Sequence, residues 1–253
     1  MATDLWQDII RLNALYEELM WPEDDDLTIR IEDDHIVIRN LAQEQRDCNI
    51  TFTPDDDFID RLNDWRYNYS MNIFAVEADP ISAARVLPDK HVTKMILESA
   101  QMLSIVFSPH YWDIGTVSKV NGEPFKTAKG AFKNHPCTKW AAESAENCAW
   151  LIQHALGLCT EFNFRFGHQH KLTKSLFETK KLFHRESGEV ITCYRNVTGF
   201  ARAMPEHLKF DDTIDDVEAY RRYLNTKEWI YYNYLRVPER RPDWLQPITP
   251  TNV

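Results

Sequence analysis

Apolar positions follow two different rhythms along the chain, and the change comes at Met71. Before it, Leu5, Ile9, Leu12, Tyr16 and Leu19 recur every three or four residues, which predicts a helix over residues 4–20 that Pro22 ends. Leu27–Ile31 and His35–Arg39 alternate apolar and polar side chains around Asp33-Asp34, the pattern of a hairpin, and Asn49–Phe52 reads as a further strand. Asp55–Trp65 predicts a short helix with acids at its positive end. From Met71 a short apolar run to Val76 leads into Asp79-Pro80, a helix cap and first position. Helical periodicity then dominates, over roughly 80–87, 89–107, 136–165, 197–204 and 214–232, with a loop from Lys119 to Asn134. The expected fold is mainly α: a compact helical domain over 71–240, preceded by a small α+β module over 1–70 and followed by a proline-rich extended tail over 241–253.

Charge sharpens this division. Residues 1–70 hold 18 acids against 6 bases, whereas residues 71–253 hold 21 against 23. Between Arg85 and Lys209 the bases lead, 17 to 11. An acidic module thus precedes a locally basic domain, and the whole-chain net charge of −10 hides a surface suited to a polyanion. No apolar run approaches the roughly 18–20 residues of a membrane span, and no basic-then-apolar leader opens the chain. Five cysteines, widely spaced and without a C-x-x-C pair, fit reduced thiols in a cytoplasm, with Cys148 and Cys159 as small core residues.

Several polar residues do not fit a simple core. On the helix predicted over 89–107, Lys90, His91, Lys94, Glu98 and Gln101 lie in one arc beside the apolar face. One reading is a solvated face with an i,i+4 Lys94–Glu98 pair. The sharper one is a catalytic wall, with Glu98 as general acid or base and a lysine as nucleophile or phosphate contact. Lys126, Lys129 and Lys133 are interleaved with Phe125 and Phe132, a pattern that suits a nucleic-acid backbone with stacked bases, or else a solvated loop. Next, Asn134-His135-Pro136 opens a helix carrying Lys139, and a helix start is either a plain cap or a phosphate site. Along that helix Trp140, Ser144 and Asn147, with Gln101, are candidate pocket residues; Ser144 lies inside the apolar stripe, and Asn147 at its edge either holds an internal hydrogen-bond network together or faces a pocket. Arg165, His168, His170 and Lys171 at the far end are candidate phosphate contacts. The spacing of His168 and His170 needs a further ligand to hold a metal, and none is nearby, so no metal is expected.

The stretch Asp89–Leu103 (DKHVTKMILESAQML), Asn134-His135-Pro136-Cys137 with Trp140, and Arg165-Phe166-Gly167 resemble a group of small phage and bacterial proteins that start at a Met-Asn-Ile-Phe-like sequence, here Met71. That group is similar in layout to the pyrimidine-dimer DNA glycosylases, over residues 71–210 in scattered motifs. The resemblance implies a compact helical fold, no cofactor, and DNA rather than RNA as partner, in the cytoplasm of a host cell if phage-encoded. It also implies a chemistry: an amine attacks C1′ of the damaged nucleotide, and a glutamate stabilises the cation and assists β-elimination. Glu98 matches that glutamate, and Lys90, His91, Lys94 and His135 would grip phosphates or a flipped nucleotide. The family's nucleophile is an N-terminal amine, but the nitrogen of Met71 is an amide, so Lys90, Lys94 or a Glu98-activated water must replace it. Two other readings stay open. One is a phage base-modifying transferase. The other is a non-catalytic protein whose acidic module mimics DNA or binds a host protein.

Overall fold

The computed structural model describes residues 27–32, 35–40, 50–52, 71–188 and 196–246. The chain divides into two compact units, Met1–Asn63 and Asp64–Val253. In the first, β1 (Leu27–Glu32), β2 (His35–Asn40) and β3 (Ile50–Phe52) form an antiparallel sheet in the order β1-β2-β3. Leu27 pairs with Asn40 and Glu32 with His35, so a two-residue connection closes the first pair. Ile36 and Ile38 pair with Phe52 and Ile50. The helices expected over 4–20 and 55–65 lie outside the described residues.

The described part of the second unit is helical. α1 (Pro80–Val86) begins where expected, its Asp79 cap accepting from the Ser82 amide at 2.8 Å. α2 (Asp89–Val106) crosses α4 (Ala145–Phe166) to form the centre, with α1 and α3 (Pro136–Glu143) against α4. Gly157 lets α1 approach closely: a Cβ there would stand 2.9 Å from the Ala84 methyl. Val92, Met95, Ile96, Met102 and Leu103 of α2 are enclosed with Leu151, Ile152, Ala155 and Leu158 of α4. Cys148 and Cys159 are buried free thiols, as their apolar setting predicts. The extended run Met71–Val76 threads this core, with Met71, Ile73, Ala75 and Val76 buried.

Four expectations need correction. The helix expected over 136–165 is broken: Ser144 turns to extended backbone (φ −149, ψ 159) and caps α4, accepting from the Asn147 amide at 3.1 Å. Ser144 is therefore a partly exposed cap, not a stripe residue. Residues 197–204 are not helical. Their main-chain groups are satisfied by side chains from elsewhere, since Asn147 takes the Thr198 amide, Tyr220 the Ala201 carbonyl and Asn72 the Ala203 carbonyl. A helix the periodicity did not flag, α5 (Thr173–Ser187), buries Leu176, Thr179 and Phe183 at helical spacing and ends at Gly188 in the left-handed region. Downstream of α6 (Glu206–Lys209), the helix expected over 214–232 is also broken: α7 (Asp216–Asn225) stops at Thr226, and 3₁₀ turns follow at Glu228–Tyr232 and Pro238–Arg240. Leu245 beyond them is buried in the core.

Candidate active site

The site is built where the run Met71–Val76 passes the first half of α2. Asn72 organises it. Its Oδ1 accepts from the amides of Ile73 (2.8 Å) and Phe74 (3.1 Å), and its Nδ2 donates to the Ala203 carbonyl at 2.8 Å. This clamp holds Phe74 at φ +41, a backbone region that costs a bulky residue on the order of 1–3 kcal/mol. With the chain so bent, the Asn72 amide donates to Glu98 Oε2 at 2.9 Å.

Glu98 itself is 4 % exposed, about two and a half turns into α2. Its Oε1 is buried without a hydrogen bond among the described residues, and the Lys94 ammonium lies 3.3 Å from it. Burial raises the Glu98 pKa, a rise that Lys94 and the Asn72 amide only partly oppose. A carboxyl in this state exchanges a proton near neutral pH more readily than an exposed one.

Beside it His91 is enclosed. Its ring stacks on Phe74 (4.1 Å between centroids, 26°) and meets the edge of Trp229 at 5.3 Å. Nδ1 is buried with no hydrogen-bond partner. Burial first, then the charges of Lys94, Lys227 and Lys90, lower its pKa, so the imidazole is neutral at neutral pH. Lys90 lies over the Trp229 ring at 5.0 Å, and Gln101 is half-buried further along α2. The four residues expected on the catalytic wall, Lys90, His91, Lys94 and Glu98, are thus brought together on one helix face.

The other expected residues separate into distinct places. Lys126, Lys129, Lys133, Asn134 and Lys139 are exposed along the loop and the start of α3. Phe125 is buried and Phe132 packs against the core, so Phe125 offers no ring for a base to stack on. His135 is fully buried: its Nδ1 accepts from the Cys137 amide at 3.2 Å, its Nε2 is enclosed without a partner, and burial pushes its pKa down to about 4. It caps α3 as an uncharged group.

Arg165 is also buried. Its guanidinium donates to the carbonyls of Arg85 and Leu87 (both 2.7 Å), to Asp89 and to Glu161, and the side chain is fully enclosed, out of reach of a phosphate. His168 and Lys171 are exposed, while burial lowers the half-buried His170 to about 4. The Asn147 amide group donates to the Trp140 carbonyl and the Thr198 hydroxyl and accepts from the Thr198 amide, and so ties α3 and α4 to the segment after Asn196. Trp140 does line an open groove of about 550 Å³ between α3 and Gly199–Ala201, together with Lys139 and Tyr111. Among the described residues no group of three His, Cys, Asp or Glu side chains converges on a metal position.

Sequence reasoning missed Asn72, Tyr223, Lys227 and Trp229. Asn72 carried a signal, a polar residue inside the apolar run Met71–Val76. The other three lie more than 130 residues from His91 in sequence and carried none.

Comparison with known proteins finds two family matches. Residues 71–175 match the model of a family described as pyrimidine dimer DNA glycosylase, and residues 2–45 match a family of unknown function. The first match starts at the run that carries Asn72 and includes all of α2. No curated protein and no solved structure shows significant similarity to the chain. The match supports a DNA-glycosylase-like function at the level of the family, and that family acts on DNA. Among the described residues no helix is long and apolar enough to cross a membrane.

Proposed function

We propose that the chain processes DNA bases as a glycosylase, with Glu98 as its acid–base group and Lys94 as the attacking amine. The observation that carries this reading is the buried Glu98 carboxyl held between the Asn72 amide at 2.9 Å and the Lys94 ammonium at 3.3 Å, inside the matched region. The Asn72 nitrogen is an amide whose lone pair is delocalised, so it acts as a donor and not as a nucleophile. Lys94 is the side-chain amine in contact with the carboxylate.

Glu98 takes a proton from the Lys94 ammonium, and the freed amine bonds to C1′ of the target nucleotide. The bond from C1′ to the base breaks, and the departing base takes up a proton. The Lys94 nitrogen gives up a further proton as the C1′–O4′ bond breaks, O4′ takes up a proton, and the sugar opens to an imine between Lys94 and C1′. A base removes a C2′ proton, the C3′–O bond breaks and the 3′ phosphate leaves. Water then hydrolyses the imine and returns the amine. Lys126, Lys129, Lys133 and Lys139 supply exposed positive charge for the backbone, and the uncharged His91 wall keeps the carboxyl dry.

The test incubates the full chain with undamaged, ultraviolet-irradiated and abasic duplex DNA, with and without borohydride. The expected result is strand nicking and a reduced covalent adduct that peptide mapping assigns to Lys94. Base release without an adduct would replace Lys94 by water. If none of the three DNAs is altered, the glycosylase reading is wrong.

A further inference from the structure

The groove beside Trp140 has walls that Glu98 and Lys94 do not share. One wall is the non-helical segment 198–201. Asn147 holds it at Thr198 (3.1 Å), and the Tyr220 hydroxyl donates to the Ala201 carbonyl. Within it Phe200 turns inward onto Trp140 (5.4 Å between centroids) and Trp150 (4.9 Å). The two smallest side chains of the segment, Gly199 and Ala201, are left to line the groove. The facing wall is α3, with Lys139, Trp140 and Glu143, and Tyr111 lines the groove beside it. These walls are fixed by hydrogen bonds and ring packing before any ligand arrives.

The rings offer a ligand little polarity. The Tyr111 hydroxyl is committed to the Lys133 carbonyl, and Nε1 of Trp140 is enclosed. Both residues therefore present ring surface. Two polar side chains remain. Lys139 is exposed, and its ammonium has no partner among the described residues. Glu143 is exposed as well: one carboxylate oxygen, Oε2, accepts from the Thr198 hydroxyl at 3.2 Å, and Oε1 has no partner among the described residues. The two stand at i,i+4 on α3, a spacing at which opposite charges meet. Among the described residues no ion pair joins them.

A cation and an anion held apart, over ring and small-residue walls enclosing about 550 Å³, suit a ligand of matching layout. It has an anionic end, a flat middle and a hydrogen-bond donor at the far end. A phosphate answers Lys139, and the exocyclic amino group of adenine, cytosine or guanine answers the Glu143 carboxylate. A DNA strand fits less well, because its next phosphate would meet Glu143. An amino acid carries both charges on one carbon, too close together to span two rim groups that do not touch. We propose that this groove binds a free nucleoside monophosphate with an amino-bearing base, its phosphate at Lys139, its amino group at Glu143 and its ring against Trp140 and Tyr111. Lys139 also belongs to the DNA-facing charge, so a bound nucleotide takes one cation from that surface. The site goes beyond the glycosylase reading and stands or falls without it.

Calorimetric titration of the full chain with deoxyadenosine monophosphate, deoxythymidine monophosphate and deoxyadenosine tests it. The first is expected to bind about 10- to 100-fold more tightly than either of the others, the worth of one hydrogen bond to a charged group. Glu143→Ala is expected to remove the preference over deoxythymidine monophosphate, and Lys139→Ala the preference over deoxyadenosine. Both side chains are exposed, so neither variant is expected to change the melting temperature. Three ligands bound alike, variants that keep the wild-type preferences, or no binding of deoxyadenosine monophosphate would each overturn the site. Binding of a single-stranded oligonucleotide that Glu143→Ala abolishes, with no binding of the mononucleotide, would make the occupant a strand and overturn the assignment too.

Discussion

The main-chain nitrogen of Asn72 lies 2.9 Å from Oε2 of Glu98, across 26 residues of sequence. This bond joins an extended, buried run to the one carboxyl that α2 takes into the core. It fixes one oxygen of Glu98 and leaves the other to Lys94, so the group is oriented rather than merely buried.

Burial of Glu98 has a measurable signature. Its folded pKa is raised, so the stability it contributes is present below its unfolded pKa and is lost as pH rises through the folded value. Glu98→Gln removes the charge and keeps the shape. The variant is expected to melt higher than wild type at neutral pH, by a few degrees for about 1 kcal/mol. That gap should close as the pH falls and wild-type Glu98 becomes protonated. Thermal melts of both proteins across the acid range check it, and a gap that widens toward low pH would contradict it.

Asn72→Ala removes three hydrogen bonds and frees Phe74 from its left-handed conformation. A loss of about 1–3 kcal/mol is expected from denaturant unfolding. Base release should slow by about tenfold, the equivalent of ~1.4 kcal/mol, with DNA affinity little changed. A variant that loses affinity and rate in equal measure would place Asn72 in binding instead.

Much of the helical unit was legible in the sequence, and the reasons are local. α1 announces itself by its Asp79 cap and α2 by a 3.6-residue stripe, and the same periodicity puts Lys90, His91, Lys94 and Glu98 on one face. The break at Ser144 was not legible, because Ser144 continues the apolar spacing while its hydroxyl serves as a cap. Residues 197–204 have helical composition, but Asn147, Tyr220 and Asn72 claim their main-chain groups, and no local pattern reveals that. Arg165 reads as a surface cation at a helix end. Only the fold shows that the carbonyls of Arg85 and Leu87 point at it.

Arg165→Met tests this last point. It leaves two carbonyls without their donor and takes Asp89's and one of Glu161's partners, although Arg240 still reaches Glu161. Breaking such a buried network costs about 3–5 kcal/mol. The expected outcome is a large fall in unfolding free energy, with unchanged DNA affinity for the protein that remains folded. Full stability with weakened DNA binding would return Arg165 to the phosphate surface.

Gly157→Val probes the α1–α4 contact, where an added Cβ meets Ala84 at 2.9 Å and Ile81 at 3.1 Å. Overpacking there is expected to cost about 1–3 kcal/mol. Because α1 leads directly into the first turn of α2, the same variant should also weaken catalysis. Calorimetry gives the first quantity, and a variant as stable as wild type would show that α1 yields without strain.

The most direct measurement is single-turnover base release from ultraviolet-irradiated duplex DNA by wild type and Glu98→Gln, with DNA affinity measured on the same samples. Loss of a general acid–base group predicts a rate lower by about 10²–10⁴-fold, with affinity retained. An unchanged rate would contradict the assignment of Glu98, and with it the proposed chemistry.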